Sequence, residues 1–329
     1  MNRSRPTVLL TGSTGVIGSA LLPSLAARYE VLALVHRRRP EGVACVEGDL
    51  TMDGLGLSES EWSELAGRID SIVHCGALTD FSAPDLRAFA DINVEGTRRI
   101  LQLAQDADVP VVLLSSASAV MDVTEDDLAA RNLRAYGRSK RRAEELAIDS
   151  GLPVAMVRTA LIFAERTAVA PPVRQFPHTL FDILLRGRTG GLPVQPDHWC
   201  DIVPMETLVA YLTALTEVQL RGDAALTSGV HWVTAGPARL TAADVADACT
   251  KVLTAAGRPP KEPLLSPPAV ARTRSHGLAR LAQLGFQPPE RAPLPCDLVR
   301  LLPAQLNRDA VLEALEHNVR LCADAFPRG

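Results

Sequence analysis

Thr11-Gly12-Ser13-Thr14-Gly15-Val16-Ile17-Gly18 is the stretch that decides the fold. It follows Thr7–Leu10, a short apolar run that opens on a β-branched threonine, and it leads into a periodic segment with Ile17, Leu21, Leu22 and Leu25 on one helical face. Strand, glycine turn and helix thus fall within about 30 residues, the layout that binding of a dinucleotide requires. Gly12 allows the tight turn off the strand, Gly15 lets the backbone approach a pyrophosphate, and Gly18 lets the helix pack close to the sheet. The backbone N–H groups from Ser13 and Thr14 to Val16 and Ile17 then face the phosphates at the helix N-terminus. Pro23 sits inside the helical pattern and is expected to strain it.

Outward from this unit, apolar runs at Val31–Val35, Val43–Val46, Ser71–His74, Val111–Ser115 and Val154–Val157 read as further strands. Between them lie an acidic helix at Ser58–Leu65 with Ser58 as its cap, a long amphipathic helix at Leu86–Ala107, and a helix at Ala135–Asp149. This alternation predicts an α/β fold, a Rossmann-type doubly wound parallel sheet with right-handed crossovers and helices on both faces. After Leu161 the rhythm breaks. Residues 168–178 are rich in proline, and helical patterns return at Glu206–Leu220, Ala242–Ala256 and Leu306–Phe326, with a late strand at His231–Val233. The expected division is a dinucleotide-binding core at 1–162 and a smaller, irregular substrate-binding lobe at 163–329 that returns at intervals to the core.

Of the 329 residues 47% are hydrophobic and 22% charged, enough for a packed core and contrary to wholesale disorder. A formal net charge of −4 and an aromatic content of 4% argue against a nucleic-acid partner, which needs a basic face and stacking platforms. The six cysteines are scattered without CxxC spacing, so neither a metal site nor a disulfide framework is expected. No run is long enough to span a membrane, and the first residues run straight into a strand without room for a signal peptide. The reading is a soluble, cytoplasmic protein.

The end of the second strand reports the type of cofactor. An NAD site places a carboxylate there for the ribose 2′-hydroxyl, whereas a 2′-phosphate calls for arginine. This chain reads His36-Arg37-Arg38-Arg39, without an acid, which predicts NADP(H). Farther on, Tyr136-Gly137-Arg138-Ser139-Lys140 puts a phenol and an ammonium on one helical face. A phenol titrates near 10. A lysine beside it is expected to lower that value, so that Tyr136 exchanges a proton with a carbonyl oxygen. Ser116, or in reserve Ser118, ends the fifth strand where parallel sheets bind ligands, and would hold that oxygen.

These motifs resemble the extended short-chain dehydrogenase/reductases. Beside Thr11–Gly18, Ser115-Ser116 and Tyr136–Lys140, the matching segments are Gly48-Asp49-Leu50, His74-Cys75-Gly76-Ala77, Asn93-Val94-Glu95-Gly96-Thr97 and Asp201-Ile202-Val203-Pro204. The resemblance implies that Asp49 and Leu50 flank the adenine and that Cys75, Gly76 and Ala77 line the nicotinamide side. It further implies that Lys140 also holds the nicotinamide ribose, that Asn93 supports the active-site helix, and that Arg158, Thr159 and Ile162 lie near the carboxamide.

A narrower resemblance, over Gly48–Ile100, is to the terminal thioester reductase domains of nonribosomal peptide synthetases and carboxylic acid reductases. It rests on Gly48-Asp49-Leu50, Leu55–Ser58, Trp62, Leu65-Ala66, Ile69-Asp70, His74–Ala77 and Phe81–Thr97. The chain departs from those domains in a very short link from Arg39 to Val43, and in Ser116 where threonine is usual. The resemblance implies a stand-alone reductase of an acyl thioester or the derived aldehyde in a biosynthetic pathway, with an acyl or peptidyl carrier protein as partner and a monomeric or homodimeric state. A ketoreductase, epimerase or dehydratase of a small metabolite uses the same triad. An NADP(H)-binding sensor without catalysis is a third reading, and it commonly lacks the triad. In the irregular half, Phe163, Phe176, His178 and Trp199 are pocket candidates, with His178 expected at the surface, and Arg174, Arg186 and Arg188 are candidate contacts for an acidic partner.

Overall fold

The structure is a computed structural model that describes residues 5–80, 85–121, 128–168, 176–186, 191–223, 226–266 and 285–325. In chain order the first elements are β1 (Thr7–Thr11), α1 (Val16–Ala26), β2 (Glu30–Val35), β3 (Ala44–Glu47), α2 (Glu59–Arg68), β4 (Ser71–His74), α3 (Arg87–Phe89), α4 (Gly96–Ala107), β5 (Val111–Ser116), α5 (Leu128–Asp149) and β6 (Val154–Thr159). They are followed by β7 (Leu161–Phe163), α6 (Phe176–Leu185), β8 (Trp199–Cys200), β9 (Ile202–Pro204), α7 (Met205–Leu220), β10 (Gly229–Val233), β11 (Leu240–Thr241), α8 (Ala242–Ala255) and α9 (Arg308–Asp324).

The chain forms two compact units. The first comprises Met1–Thr159, Leu208–Val233 and Arg300–Leu302. Its centre is a seven-stranded parallel sheet in the order β10-β6-β5-β4-β1-β2-β3. Val8, Leu9 and Leu10 in β1 are fully buried, as expected for a strand covered on both faces. The order reverses beside β1, so the carboxyl ends of β1 and β4 flank a switch point, where such sheets bind ligands. Ser58 caps α2 as expected: its hydroxyl accepts from Glu61 N–H at 3.3 Å, while Glu61 Oε2 accepts from Ser58 N–H at 2.8 Å.

Three elements differ from the sequence reading. Pro23 lies well inside α1, yet the helix continues through it. Pro23 is exposed, so the carbonyl that lost its donor faces solvent. The long helix expected over Leu86–Ala107 is interrupted by a π-helical turn at Ala90–Glu95. The catalytic helix α5 begins at Leu128 rather than Ala135, because Leu128-Ala129-Ala130-Arg131 are strong helix formers with no breaker after them. Tyr136 therefore sits in the third turn and not at the helix start.

The second unit comprises Ala160–Thr207, Thr234–Val299 and Pro303–Gly329. Short strands pair there as β7 with β9, parallel, and β8 with β11, antiparallel. Helices α6, α8 and α9 pack around Phe163, Phe181, Leu184, Val245, Val311 and Leu315. Phe163 stacks on Phe181 with centroids 6.3 Å apart, and Trp199 is buried beneath the Arg239 guanidinium, so both aromatics are core residues. His178 is buried, contrary to expectation: Asn318 Oδ1 sits 2.9 Å from its Nε2, and burial lowers its pKa. Asp201 Oδ1 accepts from Ala235 N–H at 2.7 Å. Arg186 pairs with Asp182, one helical turn before it. Arg174 and Arg188 lie outside the described residues, as does the side chain of Phe176. No helix of the described residues is long and apolar enough to cross a membrane.

Candidate active site

A cavity of about 510 Å³ opens at the carboxyl ends of β1 and β2. Gly12, Ser13, Thr14, His36, Arg37, Arg38, Asp49, Leu50 and Gly76, all singled out from sequence, line it. Thr11 and Gly48, which belong to the quoted motifs, also line it, as do Leu34, Val35, Thr51 and Ile92, which no motif marked. Gly12 has φ +69°, and a Cβ there would stand 2.7 Å from the Gly76 nitrogen. A side chain on Gly18 would collide with the Gly12 carbonyl oxygen, so the turn and helix α1 close on each other only because both residues are glycine. Gly15 is the N-cap of α1 and offers no side-chain cap, which leaves the first N–H groups of the helix, at Val16 and Ile17, available to an anion.

At the far end of the cavity His36 Nε2 lies 3.3 Å from Asp49 Oδ2. Burial raises the Asp49 carboxyl, but hydrogen bonds from Thr51 N–H and Thr51 Oγ1, with the charges of His36 and Arg37, outweigh it and leave the pKa lowered. Arg39 pairs with Glu47. Arg37 and Arg38 have no carboxylate partner among the described residues and face the cavity with His36. The loop after Asp49 is held by Arg99, whose guanidinium donates to Leu50 O at 3.1 Å and to Asp53 Oδ1 at 2.8 Å.

The catalytic candidates converge at the end of β5. Ser116 Oγ accepts from Ser118 Oγ–H at 2.9 Å and from Ser118 N–H at 3.2 Å. A further hydrogen bond joins the Ser116 side chain to the Tyr136 phenol. The hydroxyls of Ser118, Ser116 and Tyr136 thus lie together at the end of β5. Ser116 also caps the turn Ala117–Val120, its hydroxyl accepting from the N–H of Ser118 within that turn. Phe89 meets the Tyr136 ring edge-on, centroids 6.2 Å apart.

Lys140 Nζ donates to Leu114 O at 2.8 Å and lies 6.0 Å from the Tyr136 ring centroid. Burial lowers Lys140 to about 8, against the opposing charges of Cys75 and Glu144, and burial pushes Tyr136 up to about 12 despite Ser116. The expected lowering of Tyr136 by Lys140 is therefore absent, because desolvation of the phenol dominates and the ammonium is turned to a backbone carbonyl. Asn93 sits in the π-helical turn; its Oδ1 accepts from Leu78 N–H at 2.7 Å and its Nδ2 donates to Ser139 Oγ at 2.9 Å.

Arg158 is not free to meet a carboxamide. It holds buried Glu144 with two bonds, Nε to Oε1 at 2.9 Å and Nη2 to Oε2 at 2.6 Å, and stacks over Trp232. Strand alternation explains this: Arg158 pairs in register with Ser115, which also donates to Glu144 at 2.6 Å, whereas Thr159 pairs with Ser116 on the catalytic side. Cys75 and Ala77 are half-buried on the segment that follows β4, and burial raises the Cys75 thiol to about 12. Ile162 is buried in β7 of the second unit, opposite Val203. Sequence reading missed Gly137. A Cβ there would stand 2.5 Å from Ser118 O, so only glycine lets α5 bring Tyr136 against the serine turn. Among the described residues no group of His, Cys, Asp and Glu is arranged to hold a metal ion.

A family model described as "Male sterility protein", of the NAD-binding type, matches residues 33–212. The chain belongs to the NAD-binding male sterility protein family. This family lies within the extended short-chain dehydrogenase/reductases, and the match takes in β3 to β9, the π-helical turn and the YxxxK helix, while β1 with its glycine turn, β10 and β11 lie outside it. The carboxylic acid reductase of Segniliparus rugosus is 32% identical over 187 residues, 50% of this chain and 15% of the relative. The hybrid PKS-NRPS synthetase thnA of Trichoderma harzianum is 31% identical over 199 residues, 54% of this chain and 5% of the relative. The chain thus spans only 5% and 15% of the lengths of these two curated relatives. Among solved structures, the terminal R domain from the myxalamid PKS-NRPS biosynthetic pathway superposes with a TM-score of 0.72 at 21% identity, covering 100% of this chain and 93% of that one. A UDP-glucuronic acid 4-epimerase from Bacillus cereus reaches 0.65 at 15% identity, covering 98% and 100%. Both likenesses show the male sterility family member's fold.

Proposed function

We propose that the chain is an NADPH-dependent reductase of an acyl thioester, or of the aldehyde derived from it. The observation that carries this reading is the convergence of Ser116, Ser118, Tyr136 and buried Lys140 around the end of β5, at the carboxyl edge of the sheet. Bound NADPH would supply the hydride. The N–H groups of the Gly12–Ile17 turn and helix start would hold its pyrophosphate, and His36, Arg37 and Arg38 its 2′-phosphate. Asp49 and Leu50 would flank the adenine, Cys75, Gly76 and Ala77 the nicotinamide, and Lys140 its ribose. Thr159 would stand beside Ser116 on the reacting side.

The substrate carbonyl oxygen would be held by Ser116 and protonated by Tyr136 as hydride reaches the carbon and negative charge develops on the oxygen; with a thioester the C–S bond would then break, the hydroxyl proton leaving with the sulfur as thiol and the carbon remaining as aldehyde. Lys140 remains charged below about pH 8 and would favour loss of the Tyr136 proton in that step. The second unit would supply substrate binding. A relative named carboxylic acid reductase supports reduction at the carboxyl level, and the resemblance over Gly48–Ile100 implies a thioester, presented free or on a carrier protein. The test offers acyl-coenzyme A, carrier-bound acyl groups, aldehydes, ketones and sugar nucleotides with NADPH and with NADH. Turnover of a thioester or aldehyde, preferring NADPH, is expected. Turnover of ketones or sugar nucleotides with none on any thioester or aldehyde would replace this reading with a ketoreductase or epimerase, and NADPH binding without turnover of any substrate would favour a sensor.

A further inference from the structure

A buried histidine joins the cofactor loop to the catalytic helix through an unbroken set of hydrogen bonds. Gly76 N–H donates to Thr11 Oγ1 at 2.9 Å, and Thr11 Oγ1 lies 2.7 Å from His74 Nδ1. On the other side of the ring His74 Nε2 lies 3.3 Å from Thr97 Oγ1, which donates to Asn93 O at 2.7 Å. Asn93 in turn holds Leu78 by its N–H at 2.7 Å and its carbonyl at 3.1 Å, and reaches Ser139, whose hydroxyl donates to Tyr136 O at 2.7 Å. The bonds have one direction. Thr97 spends its proton on a backbone carbonyl, so it must accept from His74 Nε2–H. His74 Nδ1 must then accept from Thr11. The imidazole is fixed as the neutral Nε2–H tautomer by its neighbours, not by its own titration.

Both ends of the segment Gly76–Leu78 hang on this network, one through Thr11 and one through Asn93. Thr11 immediately precedes Gly12, where the Cys75 carbonyl and the Gly76 nitrogen leave no space for a side chain. We infer that His74 is a positioning residue that fixes the Gly76–Leu78 segment, and with it the nicotinamide face, at a set height relative to Tyr136. His74 touches neither substrate nor cofactor on this account. It acts through Thr11 and Thr97, and the reductase reading is its premise. The polar atoms are placed where a purely structural role would be served as well by an apolar side chain between β4 and α4. What the hydrogen bonds add is register: they tie the loop that holds the cofactor and the helix that holds the proton donor to one rigid ring.

Thr97→Val removes the acceptor for Nε2–H at nearly constant volume and does not touch the cavity, and Thr97→Ser keeps the hydroxyl. Thr97→Val is expected to lower turnover roughly 10-fold or more, since displacement of reacting groups by a fraction of an ångström is costly. The NADPH Kd, read by nicotinamide fluorescence, should stay within about 3-fold, because the phosphate and adenine contacts lie elsewhere. Thr97→Ser should restore turnover. Thr11→Val with Thr97→Val should be no worse than the more damaging single change, as expected for residues in one network. In the free protein, nitrogen chemical shifts of His74 should show a single Nε2–H tautomer between about pH 5 and 8, and a mixture of tautomers after Thr97→Val. Unchanged turnover in Thr97→Val, no rescue by serine, or additive losses would overturn the inference. So would a parent His74 that is charged or tautomerically mixed, a readout that stands even if the chain reduces nothing and the reductase reading itself fails.

Discussion

Removing one oxygen from Tyr136 isolates its chemistry, because the ring keeps its edge-on contact with Phe89 in either form. Tyr136→Phe is expected to lower turnover by roughly 100-fold or more, the usual worth of a placed proton donor, with NADPH affinity nearly intact. Stopped-flow or steady-state assays beside a fluorescence titration check both. The pH profile carries a second expectation. Lys140 has its folded pKa lowered to about 8, so its charge is held below that pH and lost above it, while Tyr136 keeps its proton to about 12. Turnover should therefore decline above about pH 8 with the loss of one proton; a flat profile up to about pH 10 would remove Lys140 from the chemistry. At this scale the sequence was informative where chemistry demands a rare residue pattern, as in Tyr136–Lys140 and Gly12–Gly18. It was silent on Gly137, because a glycine needed for close approach of two elements carries no motif until both elements are in place. The burial of Lys140 and Tyr136 was equally hidden, and burial reverses the direction in which the phenol titrates.

The strands were legible as β-branched and apolar runs, and β4 falls on the residues expected, Ser71–His74. The π-helical turn at Ala90–Glu95 was not, because one extra residue in a helical turn leaves the apolar period almost unchanged over so short a span. That turn is what presents Asn93 to both Leu78 and Ser139. The short strands of the second unit were illegible for a different reason: two- and three-residue strands give no period at all. One element-level prediction concerns Asp201, which ties the β8–β9 corner to the turn at Ala235. Burial raises its pKa to about 6, against the backbone N–H bonds of Ala235 and Gly236 and the Arg239 charge. A carboxyl raised in the folded state contributes stability below its unfolded value near 3.8 that is lost as pH rises through about 6. Its Oδ2 is buried without a hydrogen-bond partner among the described residues. The melting temperature of Asp201→Asn relative to the parent should therefore be more favourable at about pH 7 than at about pH 4, and a difference independent of pH would contradict the assignment.

For the whole molecule, the sequence carried the sheet and the cofactor end of the site because their demands are local: a turn, a helix start, a strand end. The second unit was less legible, because proline-rich and short elements replace periodic ones there, and the residues singled out as pocket aromatics, Phe163 and Trp199, are packed in the core. The proposed preference for NADPH rests on the whole site, where Arg37 and Arg38 line the cavity without an ion-paired carboxylate among the described residues. NADPH is expected to bind at least about 10-fold more tightly than NADH, about 1.4 kcal/mol, and Arg37→Ala with Arg38→Ala should remove most of that gap. Equal affinities in the parent, measured by titration calorimetry, would contradict it.

The central claim is hydride delivery to a thioester or aldehyde carbonyl at Ser116, Tyr136 and Lys140. Its most direct test is to react the full chain with an acyl thioester and NADPH deuterated at C4 on the transferred side, followed by mass spectrometry of the product. Deuterium at the former carbonyl carbon, formed by the parent chain and not by Tyr136→Phe, is the predicted result. Consumption of the thioester without deuterium in the product, or equal incorporation by Tyr136→Phe, would contradict it.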